Sequence, residues 1–125
     1  MPLCQIAEYQ REGFMTEMPP VPEDEFCVFG TVYAHPEHAD TLESVYAETT
    51  RLSASEPGII YYCLARDGDD RNVFHFFERY TGRKAFEEHN STPTVKKLLA
   101  DGLMRGVKAK FVQPIKPTVQ PSSKA

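Results

Sequence analysis

Two runs rich in aromatic and β-branched residues, Ile59 to Arg66 and Asn72 to Tyr80, are separated by little more than Asp67-Gly68-Asp69-Asp70. A polar connection this short joins neighbouring antiparallel strands and leaves no room for a crossover helix. The hairpin therefore sets the frame into which the rest of the chain must fit. Phe26 to Ala34 is a third strand-like run, with Phe26, Val28, Gly30 and Val32 on one face and Cys27, Phe29, Thr31 and Tyr33 on the other. Both faces are apolar enough to be covered, which predicts a central strand. Gly30 leaves room for close approach by a ligand or a neighbouring backbone. Gly106 leads into a fourth run, Val107 to Val112.

The spacing changes between these runs. After His35-Pro36-Glu37-His38, which suits a helix start, apolar residues recur at Ala39, Leu42, Val45, Tyr46 and Leu52. That spacing predicts a helix from Ala39 to about Leu52, ended by the turn Glu56-Pro57-Gly58. Thr81 can cap a helix running to about His89, with Ala85 and Phe86 turned inward. Thr92-Pro93 starts a second short helical piece carrying Val95, Leu98, Leu99 and Leu103. The order is βαββα(α)β. It predicts an α+β, ferredoxin-like domain with a mostly antiparallel four-stranded sheet and its helices on one face.

Proline marks the ends of this unit. Of ten prolines, only Pro36, Pro57 and Pro93 lie within it. Residues 1–25 read as an N-terminal arm whose apolar residues Ile6, Tyr9, Phe14 and Met15 could form a short docking turn. Residues 26–112 read as the domain, and residues 113–125 as an extended or disordered tail.

Bulk properties narrow the function classes. A 41% apolar, 26% charged composition suits a folded domain. A net charge of −4 with no run of Lys or Arg argues against nucleic acid as a partner. Cys4, Cys27 and Cys63 are odd in number and lack paired spacing, so they suggest neither a disulfide framework nor a zinc site. Cys27 and Cys63 sit in apolar runs and read as buried thiols, which fits a reducing compartment. No apolar run is long enough to cross a membrane, and no secretory leader is evident. The cytoplasm is the expected location.

A sheet covered by helices on one face still presents Phe, Val and Tyr side chains on the other. Such a patch is larger than single chains tolerate, so a homodimer packed sheet against sheet is expected. The arm folding back over the bare face is the alternative.

Three stretches, in order, carry a family resemblance. Glu56-Pro57-Gly58-Ile59-Ile60-Tyr61-Tyr62 resembles the turn and strand of the antibiotic biosynthesis monooxygenase family. Val73 to Tyr80, with its Glu78, is similar to that family's third strand, and Lys84 to Pro93 resembles its helix ending in a histidine. The resemblance covers roughly residues 26–112 and implies the dimeric α+β barrel fold. The family includes cofactor-free monooxygenases of quinols and polycyclic phenols, isomerases of small sugar-derived ketones, and haem-degrading enzymes. Many relatives carry tryptophan two residues after the strand glutamate, where this chain has Tyr80. The chain has no tryptophan, which argues against haem breakdown.

Alternation on the third strand puts Phe74, Phe76, Glu78 and Tyr80 on one face. A glutamate in so aromatic a run must be paired when buried, or its pKa rises. His89 ends the next helix, and folding that helix over the sheet would bring His89 and Glu78 to one pocket. A carboxylate beside an imidazole orients the ring as a base. Plainer roles compete: Glu78 can pair with Arg79 or Arg83, and His89 can serve the helix C-terminus. Tyr33, Tyr62, His75 and Tyr80 are candidates to hold a phenol or quinone oxygen, or simply to pack the core. Asn90 can donate to a substrate oxygen or cap the next helix. His35 and His38 have metal-compatible spacing without further ligands nearby, and read as surface residues.

The resemblance and these residues imply cofactor-free, metal-free chemistry on a small aromatic substrate. His89 is the expected base, Glu78 its orienter, and Tyr33, Tyr62 and Asn90 the expected oxyanion donors. The anion formed would reduce dioxygen in an oxygenase or be reprotonated elsewhere in an isomerase. A non-enzymatic barrel that binds an aromatic molecule is the second class.

Overall fold

The computed structural model describes residues 13–118. Its elements are strand β1 (Phe26–Ala34), helix α1 (Ala39–Ser53), strands β2 (Ile59–Arg66) and β3 (Val73–Tyr80), helices α2 (Arg83–Asn90) and α3 (Pro93–Ala100), and strand β4 (Met104–Val112). Pro36–His38 forms a single 3-10 turn that feeds α1. The strands form one antiparallel sheet in the order β2-β3-β1-β4. The hairpin strand β3 thus slips between β1 and β2, as expected of a split β-α-β arrangement.

Sequence boundaries hold within a few residues except at β4. That strand begins at Met104, so Gly106 lies inside it rather than before it. Gly30 accommodates backbone rather than a ligand: a β-carbon there would run into the Lys108 carbonyl of β4. Thr81 does not cap α2. Gly82 holds that position, and Thr81 N–H donates to the Gly58 carbonyl at 2.9 Å. Likewise Thr92, not Asn90, occupies the cap of α3.

Two apolar clusters hold the helices to the inner face of the sheet. One joins Val32, Leu42, Phe74 and Leu98; the other joins Phe26, Val28, Tyr80 and Phe86. Phe76 packs against both. The outer face carries Cys27, Phe29, Thr31 and Tyr33 of β1, and His75 and Phe77 of β3. Across it runs an aromatic row. Tyr61 meets Phe77 edge-on at 5.8 Å between ring centres, and Phe77 stacks with Phe29 at 6.2 Å. Cys27 is buried, but Cys63 is exposed, contrary to expectation. It alternates outward on β2, the edge strand of the sheet among the described residues.

Cys4, Ile6 and Tyr9 of the arm, and the tail from residue 119, lie outside the described residues. Phe14 and Met15 occupy an irregular stretch and not a helical turn. Among the described residues no helix is long and apolar enough to cross a membrane.

Candidate active site

Where the two core clusters part, a cavity of about 400 Å³ opens between sheet and helices. Val28, Phe76 and Ala109 line it from the sheet, and Tyr46, Phe86 and Leu98 from the helices. Glu78, Tyr62, His89 and Asn90 are the polar side chains in its wall. Tyr46 adds a hydroxyl, which donates to Met104 Sδ at 3.7 Å.

His89 reaches the cavity because Ala85, Phe86 and His89 share the buried face of α2. The helix then stops. Thr92 donates through its backbone N–H and its hydroxyl to the His89 carbonyl, at 3.2 and 2.8 Å, and Pro93 starts a new helix. The imidazole is 4% exposed. Its Nδ1 lies 3.0 and 3.2 Å from the two carboxylate oxygens of Glu56. Nε2 makes no hydrogen bond among the described residues. The His89 side chain is part of the cavity wall, which leaves Nε2 as the ring nitrogen available to a ligand there.

Among the described residues the carboxylate bonded to the ring is that of Glu56, and Glu78 is bonded to Tyr80 instead. Glu56 and His89 are 33 residues apart, and a close turn-to-helix contact joins them. Gly58 sits against Ala85, one helical turn before His89, and a β-carbon at Gly58 would collide with that of Ala85. The turn Glu56-Pro57-Gly58 is thereby pressed onto α2, and Glu56 meets the ring one turn further on. In the sequence Glu56 stands out only as part of a turn and as the first residue of the family-like stretch Glu56 to Tyr62. A carboxylate heading a quoted family stretch was the available signal.

Glu78 does lie in the same cavity wall, opposite Tyr62 in the β2–β3 register and Val28 in the β1–β3 register. It accepts a hydrogen bond from the Tyr80 hydroxyl. Burial raises its pKa above the ordinary value of 4.5, and the Tyr80 bond and the His89 charge offset this only in part. Burial and the Glu78 charge push the hydroxyl pKa values of Tyr62 and Tyr80 upward. For Tyr46, burial and then the neighbouring Tyr62 act in the same direction. Tyr62 donates to Thr49 Oγ1 at 3.2 Å, and its ring meets the His89 ring edge-on at 5.2 Å. Tyr80 is fully buried behind Glu78, stacked on Phe26 at 5.6 Å.

Tyr33 and His75 do not reach this cavity. Strand alternation turns both to the outer face. There Tyr33 packs on Phe14 at 5.2 Å, and His75 Nε2 lies 2.8 Å from Asp67 Oδ1. The expected set thus divides: Glu78, His89, Tyr62 and Asn90 line the cavity, with Tyr80 behind it, while Tyr33 and His75 lie across the sheet.

Among the described residues the lining holds one carboxylate, Glu78, and neither Lys nor Arg. Among the described residues no three His, Cys, Asp or Glu side chains gather to hold a metal ion. His35 and His38 lie edge to face, 6.3 Å apart. The arrangement can take a proton at His89 Nε2, stabilise the resulting imidazolium with the Glu56 carboxylate, and offer hydrogen bonds to an oxygen inside an apolar space.

A family model described as antibiotic biosynthesis monooxygenase matches residues 25–101. An uncharacterized protein of Synechocystis is 31% identical over 71 residues, 57% of this chain and 48% of that protein. The chain thus spans about half the length of that relative. Among solved structures, one from Pseudomonas aeruginosa superposes with a TM-score of 0.68 at 24% identity, covering 75% of this chain and 97% of the other. One from Mycobacterium tuberculosis gives 0.65 at 22% identity, covering 77% and 100%. A structure named antibiotic biosynthesis monooxygenase gives 0.65 at 22% identity, covering 73% and 99%. At these identities the superpositions establish the fold.

Proposed function

Because this chain belongs to the antibiotic biosynthesis monooxygenase family, we propose that it is a cofactor-independent monooxygenase of a small quinol, phenol or anthrone. One observation carries this reading: a carboxylate-held imidazole presents its free nitrogen to a largely apolar cavity. The proton of the substrate hydroxyl, or of the ring CH2 in an anthrone, moves to His89 Nε2, and Glu56 stabilises the imidazolium that forms. Glu78, kept towards its neutral form by burial, and Asn90 donate to the substrate oxygen as charge develops. The phenolate gives one electron to dioxygen. The carbon radical and superoxide then combine into a C–O bond, the His89 imidazolium returns its proton to the peroxide anion, and the O–O bond breaks as the hydrogen on the same carbon leaves, which releases water and forms the carbonyl. One oxygen atom enters the product, and the other leaves as water with two substrate hydrogens. The apolar walls keep bulk water from the radical pair.

The second part of the reading is a homodimer. The row Tyr61, Phe77 and Phe29 is exposed on the outer face, at 52%, 41% and 37%. Of the described arm residues, Phe14 covers the corner at Tyr33. A two-fold partner is the simplest cover for the rest. Phe77→Asp is then expected to yield monomers in sedimentation equilibrium, and a wild-type monomer would remove this part of the reading.

Oxygen uptake with hydroquinones, naphthols and anthrones, in the presence of a chelator, tests the chemistry. Wild type is expected to consume oxygen and form the carbonyl product, and His89→Ala to lose about a hundredfold or more. Saturable binding without uptake would favour a binding barrel. A product isomeric with the substrate would favour an isomerase.

A further inference from the structure

Residues 13–25 precede β1 and run past the open end of the cavity. Met15 N–H donates to the Val107 carbonyl at 2.8 Å, which ties the segment to the free edge of β4. The two side chains at this point part. Phe14 turns to the outer face, under Lys108 Nζ at 5.9 Å from its ring centre. Its ring lies where Gly106 has no side chain, and a β-carbon there would collide with it. Met15 turns the other way and lines the cavity. At the far end, Arg83 donates from Nε and Nη2 to the Val21 carbonyl, at 2.8 and 2.6 Å. Between these anchors Met18 also lines the cavity while remaining 55% exposed. A half-exposed thioether in a cavity wall stands at its mouth. Both methionines precede residue 25, where the family match begins.

We propose that this strap selects the substrate, with Met15 and Met18 closing over the outer ring of a neutral fused-ring phenol whose oxygen lies at His89. The inference rests on the reading of the cavity given above. Thioethers are polarizable and flexible, and they favour the faces and edges of aromatic rings. Charge sets the second half of the class. Among the described residues the lining holds no Lys or Arg and already carries Glu78, so a phosphate or carboxylate would meet a carboxylate there and no counter-charge. A neutral multi-ring phenol meets no such cost, and its distal rings extend to the strap.

The test is calorimetric titration of the full chain without oxygen, using phenol, 1-naphthol and anthrone as probes of one, two and three rings. Met15→Ala/Met18→Ala is expected to weaken anthrone about five- to tenfold and phenol less than about twofold. Met18→Trp, at a half-exposed position that leaves the core intact, is expected to shut out anthrone and spare phenol. Thermal midpoints show that each variant is folded. Equal changes for all three probes, or none, would overturn the strap. If oxygen uptake still depended on His89 in that case, the catalytic reading would stand alone. Size selectivity without oxygen uptake would leave the strap and remove the oxygenase. Wild type that binds none of the probes would overturn both.

Discussion

Replacing Glu56 by Gln keeps the size of the side chain and an oxygen able to accept from His89 Nδ1–H, and it removes the charge. The Glu56 side chain is 22% exposed and that of His89 5%, so the bond is largely shielded from water. A hydrogen bond to a charged group contributes about 1.5–3 kcal/mol and a neutral one about 0.5–1.5. The difference, about 1.5 kcal/mol, applies to the imidazolium and hence to the transition state in which it forms. At about 1.4 kcal/mol per factor of ten, kcat/KM is expected to fall about tenfold. KM should move by less than about twofold, because the glutamine oxygen still accepts from Nδ1–H and the ring stays in place. The assay is oxygen uptake on the best substrate of the panel, for Glu56→Gln, His89→Ala and the double variant. A residue that acts through His89 adds nothing once the ring is gone, so the double variant should match His89→Ala. Independent losses that multiply in the double variant, or a Glu56→Gln enzyme as fast as wild type, would refute the pairing. The same cycle with Glu78→Gln should give multiplying losses, since Glu78 bonds Tyr80 and not the imidazole.

Glu78 also predicts a pH dependence of stability. Its pKa is raised in the fold above 4.5, so its contribution is fully present below that value and is lost as pH rises through the folded pKa. Glu78→Gln should therefore gain thermal midpoint relative to wild type between pH 4.5 and pH 8, measured by calorimetry; parallel curves would contradict the burial argument. Asp67 has the opposite sign. The bond to His75 comes first and the backbone N–H groups of Asp70 and Asp69 second, and together they lower its pKa from 3.8 to about 2. Its contribution is present above 3.8 and is lost as pH falls through about 2, so Asp67→Asn should flatten the acid limb of a stability curve. Gly58→Ala should cost about 1–3 kcal/mol in urea denaturation, because the new methyl group forces the turn off Ala85. It should also lower kcat by parting Glu56 from His89, and a variant with wild-type stability would show that the contact relaxes freely.

Element type and order were legible because their signals are local. Alternation marks Phe26–Ala34 and Val73–Tyr80, helical spacing marks Ala39–Ser53, and the loop at Asp67–Asp70 dictates the antiparallel pair. The same alternation already placed Glu78 on the covered face and, followed strictly, would have sent Tyr33 and His75 to the other. A helix folded back over the sheet brings Glu78 and His89 towards one pocket, and both side chains line one cavity.

By itself the sequence determined the periodicities, and hence which faces are apolar and which residues can share them. Only the tertiary structure decided which carboxylate holds His89. A hydrogen bond needs two groups within about 3 Å, and the spacing that brings Glu56 there depends on how closely one turn rests on one helix. The strap is of the same kind. Nothing in the pattern of residues 13–25 specifies a cavity wall, because Met15 and Met18 gain that role from the edge of β4 and from Arg83, both far along the chain. Periodicity is a property of neighbours in sequence, whereas a site is made by neighbours in space.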